Sequence, residues 1–531
     1  MVSVSVLFAF VFSLFSVGSL ANADEKTPSD EFRVGMEAGY APFNWSQQTD
    51  ENNALPIQGQ NSYAGGYDVQ IAKKVADGLG KKLVIVQTKW DGLAPALQSG
   101  KIDAIIAGMS PTAERRKEID FTDPYYESQL VVVVQKDGKY AKAKSLADLS
   151  GAKITAQLNT FHYTVIDQIP DVQKQQAMDN FSAMRTALAS GMIDGYVSER
   201  PEGVTATSVN KDLEMLEFSG ADGFQTNPED VQISVGMRKG DPDIQKVNQI
   251  LSGISNDERT KIMDQAVKDQ PAATDSEEKP GIISDFTTIW KQYGNMFLRG
   301  AGLTLFIALI GTVVGTTLGL LIGVFRSVPE SGNALTRFFQ KIGNALLSIY
   351  VEIFRGTPMM VQAMVIFYGL ALAFGISLNR TIAALFIVSL NTGAYMTEIV
   401  RGGIFAVDEG QFEAAQAIGM THGQTMRKVV IPQVLRNILP ATGNEFVINI
   451  KDTAVLSVIG VADLFFQGNS ASGANFQFFQ TFTIVGIIYL VMTFTITRIL
   501  RAVERKSMDL LLTQSLKKST IQICRNKEEE S

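Results

Sequence analysis

Two textures of hydrophobicity divide this chain. Between residues 32 and 268, short apolar runs (FRVGM, KLVIV, IDAIIAGM, LVVVV, AKITAQ, MIDGYV, ISVGM) alternate with stretches of helical periodicity such as DVQIAKKVADGLG, SAMRTALASG and PDIQKVNQILSGIS. That alternation predicts two α/β lobes, each around a central sheet: lobe 1 over about 32–125 and 215–268, lobe 2 over about 128–212. Residues 269–290 begin DQPAATDSEEKPG and read as a linker. From Gly300 the apolar runs reach membrane length, for which ~20 residues are needed. Five spans are expected, near 300–325, 346–374, 379–400, 441–466 and 477–499, within an all-α domain over 291–505 that a tail, 506–531, follows.

Charge orients these spans. Loops on one side carry Arg326, Arg337, Lys341, Arg355, Arg401, Arg427, Lys428 and Arg436, and the tail adds more cations, whereas the other side holds only Arg380. Positive charge marks the cytoplasmic side, so the 24–268 domain is expected outside and the C-terminus inside. The first residues, VSVSVLFAFVFSLFSVGSLANA, end in a small-residue cleavage pattern and read as a signal peptide (1–23) without a basic start; cleavage and retention as an anchor both stay open.

Composition removes several functions. The net charge of −7 argues against a nucleic-acid binder, and the mean hydropathy of +0.09 against a purely soluble protein. One cysteine, Cys524, allows no internal disulfide, and two histidines, His162 and His422, make neither a His-rich metal site nor a Ser-His-Asp hydrolase. No metal and no catalytic residue is expected. No GxxxxGK[ST] phosphate loop occurs, so this chain is not expected to bind ATP.

One polar insert interrupts the apolar half: Gln411–Pro440. EAAQAIG reads as a short helix stopped by Gly419, and Thr421 and Gln424 have capping-box spacing for a second helix limited by Pro432. It is either an ordinary loop or a docking knob for a cytoplasmic partner.

The soluble part resembles the extracytoplasmic amino-acid-binding proteins of ABC importers, a two-lobed (type II) periplasmic-binding-protein fold. The apolar part resembles the permeases of the polar amino-acid uptake family in YVEIFRGTPMMVQAMVIFYG, AYMTEIVRGGIFAV, the EAA insert and NEFVINIKDTAVLSVIGVADL. The resemblance implies a fused receptor and permease in a bacterial cell membrane. Glu413, Ala414, Ala415 and Gly419 would form the segment that fits a separate ABC ATPase. That partner would carry the ATP and Mg, and two copies of each chain would assemble around a permease homodimer.

The same resemblance assigns a site for a free amino acid. Arg115, with Ser110 and backbone near Gly108, would take the carboxylate, and Thr160 would donate to it. Glu199, where the family usually has Asp, would take the ammonium. Glu37, Tyr40, Trp90 and Gln157 would face the side chain. Glu37 then has no matched cation, and an uncompensated buried carboxylate is costly. Arginine, lysine or histidine is therefore expected, with glutamine as the alternative. A ligand-gated channel is disfavoured, because the lobes finish before the first span and no TVGYG filter exists.

Overall fold

The computed structural model describes residues 30–270, 282–475 and 477–529. The expected signal peptide and most of the expected linker lie outside these residues. The linker's last part, 282–290, already belongs to the helix Ile282–Arg326.

The N-terminal domain has two five-stranded sheets. The first runs Lys82–Gln87, Glu31–Met36, Ala104–Ile105, Gln232–Met237, Asp120–Glu127. Its first three strands are parallel, and Gln232–Met237 is antiparallel to both its neighbours. The second runs Gln173–Lys174, Lys153–Thr155, Gly195–Glu199, Leu130–Gln135, Leu213–Glu217. There Leu130–Gln135 is antiparallel to both flanking strands. Its LVVVV run is buried on both faces, which is why it lacks alternation. The chain crosses between lobes at 128–129 and returns over 218–231. The return is later than the expected boundary near 215, because Leu213–Glu217 pairs with Leu130–Gln135 and belongs to lobe 2.

In the helical domain, three stretches among the described residues are long and apolar enough to cross a membrane: Phe286–Arg326, Arg380–Phe405 and Phe478–Arg505. A fourth forms if Ala334–Gly356 and Met359–Phe374 are one span, bent by 114°. The bend falls at Gly356-Thr357-Pro358, where proline removes a donor and keeps Thr357 extended. The expected span at 441–466 is not one helix. Ile431–Asp452 ends at its charged pair, Lys451 and Asp452, a 3-10 turn covers Thr453–Ile459, and a short helix, Leu464–Asn475, follows. The last helix continues through the expected tail to Glu529.

Helix packing rests on a stripe that sequence reading passed over. Gly311, Gly315, Gly319 and Gly323 repeat every four residues and face Val388, Thr392, Met396 and Val400 on the helix Arg380–Phe405. A methyl at Gly315 or Gly323 would lie 2.6 Å from Thr392 or Val400. Small residues at this spacing let two apolar helices approach closely without a hydrophobic drive from water. Beside the stripe, buried Asn449 donates to Thr312 Oγ1 (2.8 Å) and Thr392 Oγ1 (2.9 Å), tying a third helix to the pair. At the far end of the same helix Glu398 pairs with Arg326 (3.1 Å) and Arg401 (2.6 Å).

Candidate functional site

The expected ligand residues converge. Glu37, Tyr40, Trp90, Gly108, Ser110, Arg115, Gln157 and Thr160 line one cleft between the lobes, joined by Phe161 and His162. Only about 10 Å³ of it is open, roughly one water, so an amino acid enters only if the lobes part.

Lobe 1 builds its wall from strand ends. Glu37 and Tyr40 follow the strand Glu31–Met36 through a turn in which Ala38 has φ 52° and donates its N–H to Asn44 Oδ1 at 2.8 Å. Tyr40 crosses the cleft. Its ring stacks on Phe181 of lobe 2 (centroids 4.7 Å apart, planes 6° apart), and its hydroxyl donates to Glu199 Oε2 at 2.9 Å. Gly108 has φ +65°, and a side chain there would strike the Tyr40 ring. Trp90 opens the helix Trp90–Gln98, and its ring lies 5.1 Å from the Arg115 guanidinium. Trp90 thus supports the cation as well as facing the cleft.

Arg115 starts a four-residue helix, with Thr112 Oγ1 accepting its N–H at 3.4 Å. Its guanidinium donates to Ser110 O (2.9 Å) and to Asn159 O across the cleft (3.0 Å). Burial lowers its pKa to about 10, against the opposing pull of Glu199.

Lobe 2 supplies Gln157, Thr160 and Glu199. Asn159 stands at φ 57°, a conformation that suits glycine and that asparagine tolerates. Its amide donates to Asp91 Oδ1 at 2.8 Å, a second latch between the lobes. Gln157 Nε2 donates to Asp179 O at 3.2 Å. The Thr160 hydroxyl donates to Gln157 O at 2.7 Å, so it must turn to serve a carboxylate. Glu199, 1% exposed, does not line the open space. Tyr40 and His162 hold it, the latter with Nε2 3.5 Å from Oε1. Behind it, Glu202 is buried against Arg185, Tyr196 (3.1 Å) and Ser198 (2.6 Å), which fixes the end of the strand Gly195–Glu199.

Phe161 and His162 are not among the expected residues, although they directly follow Thr160 in the chain. The expectation that Glu37 has no cation nearby needs correcting. Burial raises Glu37 to about 7, but Lys89 is the next largest influence and pulls it down. The sequence hid this because Lys89 stands two residues beyond the end of Lys82–Gln87, the strand that pairs with Glu31–Met36.

Glu37 also borders a second small space, lined by Lys89, Asn180 and the helix Leu464–Asn475. That helix, LFFQGNSASGAN, bridges both lobes. Gln87 Nε2 donates to Glu37 O and to Ser470 Oγ, both at 2.9 Å, and Gly473 packs on Gly39. From lobe 2, Ser182 Oγ donates to Ser472 O (2.9 Å) and Asn180 Nδ2 to Asn469 Oδ1 (3.3 Å).

The EAA insert lies at the other end of the helical domain. Arg380 bonds Thr88 of lobe 1, and 26 residues of helix, about 39 Å, separate it from Phe405, just before the insert. Asp408 caps the helix Glu409–Ala417, Gly419 has φ +81°, and Thr421 and Gln424 form the expected capping box. Glu413, Ala414 and Gly419 are exposed, Ala415 is buried, and Ile418 is 76% exposed. Pro432 does not stop the second helix. A π turn at Met426–Val430 widens the backbone ahead of the ring, and the helix continues to Asp452.

Comparison with known proteins agrees with both halves. Residues 32–268 match the bacterial extracellular solute-binding proteins, family 3, and residues 315–508 the binding-protein-dependent transport system inner membrane component. The glutamine transport system permease protein GlnP of Escherichia coli (strain K12) is 35% identical over 223 residues, 42% of this chain and 97% of that protein. The arginine transport system permease protein ArtQ of Bacillus subtilis (strain 168) is 35% identical over 209 residues, 39% of this chain and 91% of that one. An amino acid ABC transporter substrate-binding protein from Streptococcus pneumoniae, solved with L-arginine, is 26% identical with a TM-score of 0.40, covering 45% of this chain and 94% of that chain. The chain belongs to the amino-acid ABC transporter permeases and carries a family 3 solute-binding domain in the same polypeptide. It is a membrane-embedded transporter subunit whose ligand is a free amino acid.

Proposed function

We propose that this chain is receptor and pore of an ATP-driven importer of polar amino acids that prefers basic ones. The carrying observation is the position of Glu37: with Arg115 and Glu199 matched to the zwitterion, this carboxyl lines the cleft where the ligand's side chain would lie, and a cationic side chain would favour its ionised form. Arg115 and Ser110 hold the carboxylate, joined by Thr160 once its hydroxyl turns. Glu199 takes the ammonium in exchange for the Tyr40 hydroxyl. Glu37 and Gln157 face the side chain, beside Tyr40 and Trp90. The arginine system name of one relative supports the preference.

Glutamine is the second reading. Lys89 near Glu37 favours a ligand of lower charge, and another relative bears a glutamine system name. ATP and Mg belong to a separate ATPase, two copies of which would seat on the Glu413–Gly419 segments of a permease dimer. The binding domain lies outside and the C-terminus inside. In this reading ATP-driven closure reaches the membrane helices through that segment, and the chain itself holds no cofactor. Calorimetric titration of the full chain in nanodiscs tests the ligand. Arginine or lysine should bind more tightly than glutamine, and glutamate least. Glutamine tighter by tenfold would select the second reading, and glutamate tightest would defeat both.

A further inference from the structure

A larger cavity, about 390 Å³, lies at the seam between lobe 1 and the helical domain and shares no lining residue with the amino-acid cleft. Three cations border it: Arg33 and Lys101 from lobe 1, and Arg380 from the helical domain. Arg33 is neutralised by Asp103, which accepts from it at 2.9 and 2.8 Å. Lys101 and Arg380 have no carboxylate partner among the described residues. Lys101 Nζ reaches only Ser377 Oγ and Leu378 O, both at 3.5 Å, and sits 3.6 Å from the Phe367 ring centroid. Arg380 donates to Gly460 O at 3.3 Å and to Thr88 Oγ1 at 3.2 Å. These are long bonds to neutral acceptors, and they leave most of the Arg380 N–H donors unused. Gly460 is shaped for the arrangement: a Cβ there would lie 2.8 Å from Arg380 Cζ.

Two cations gathered in a partly desolvated space repel each other unless an anion joins them. The strain is visible on Lys101, whose pKa falls to about 8 through burial and then through the charges of Arg380 and Arg33. An arginine and a lysine lining one cavity suit the oxygens of a phosphate group, one as a planar fork and the other as a point charge. The surroundings favour a lipid source. The loop residues that line the cavity, Ser377 to Thr381, are flanked by exposed apolar side chains: Phe374 (72%), Ile376 and Ile382. Arg380 opens a membrane-length helix, which puts the cavity at headgroup level.

We propose that this cavity binds a phosphate-bearing anion between Lys101 and Arg380, either the headgroup of an anionic phospholipid or free inorganic phosphate. Because one cation comes from each domain, the anion would fasten the receptor to the permease. The test uses the full chain in nanodiscs of phosphatidylcholine alone, phosphatidylcholine with phosphatidylglycerol, or phosphatidylcholine with millimolar inorganic phosphate. Retained lipid is read by native mass spectrometry and stability by thermal unfolding. Wild type should retain phosphatidylglycerol over phosphatidylcholine. Lys101→Gln and Arg380→Gln should each lose that preference by about tenfold or more, as expected for a charge-assisted hydrogen bond. Lys101→Arg should keep it, and amino-acid affinity should not move in any of the three. Stabilisation by phosphate, with phosphatidylglycerol adding nothing, assigns the site to the free anion. Equal retention and equal phosphate response in wild type and both Gln variants overturns the proposal. So does a wild type indifferent to both anions, whatever the variants do.

Discussion

The ligand cleft and the EAA insert are built in opposite ways. Every feature of the insert is settled within about fifteen residues: Asp408 caps, Gly419 stops, and Thr421 and Gln424 cap again. The cleft is assembled from segments up to 159 residues apart, as in the Tyr40–Glu199 bond, and its shape depends on how far two lobes close. A local device presents a fixed surface; a composite one can open. If the insert seats a partner, as proposed, a fixed surface suits that task, and a cleft that can open suits capture of a solute.

The contrast can be broken at its scaffold first. Glu202→Ala leaves Arg185 buried without its carboxylate and should cost about 3–5 kcal/mol of stability, read as a lowered Tm of the purified chain. An unchanged Tm would mean that lobe 2 does not lean on this pair. Next, Arg115→Ala should weaken amino-acid binding by about 2–5 kcal/mol, from 30-fold to thousands-fold, with folding intact. Affinity within threefold of wild type would remove Arg115 from the site.

The third effect is a pH dependence. Glu37 titrates near 7 in the closed cleft, among Lys89, Asp91, Asp179 and Gln157. A cationic side chain needs its ionised form, so arginine should bind about tenfold more tightly at pH 8 than at pH 6, and Glu37→Gln should flatten that slope. The sign for folding is opposite. A carboxyl raised from 4.5 to about 7 contributes stability below pH 4.5 that is lost as pH rises through 7. Smallest is Thr421→Ala, which removes one cap and should cost about 1 kcal/mol. Amide exchange should quicken at Gln424 and its neighbours while ligand affinity stays fixed. A change in ligand affinity would show that the two ends are coupled even at rest.

What could be read from the sequence follows the same division. The insert was legible in detail because caps and left-handed glycines act on their immediate neighbours. Only the role of Pro432 was misjudged, since a π turn can absorb a proline that a regular helix cannot. For the cleft, residue identities were legible and their arrangement was not. Nothing local reveals that Glu199 is sealed by Tyr40 and His162, or that Lys89 offsets Glu37, since both depend on neighbouring strands and opposed lobes. The span at 441–466 is broken for another reason: its helix ends at Lys451 and Asp452, inside an otherwise apolar run. The glycine stripe at 311–323 is not legible alone, because its meaning lies on the facing helix.

The helix Leu464–Asn475 grips the lobes with three polar bonds and a glycine contact. Between separate proteins such a contact would be occupied only in proportion to the concentration of free receptor. Here receptor and permease share one chain, and a tether of this kind supplies an effective concentration in the millimolar range. Docking becomes a first-order event whose frequency does not depend on how many copies the cell makes. Contact and release then depend on the geometry of one chain and not on the supply of a second protein.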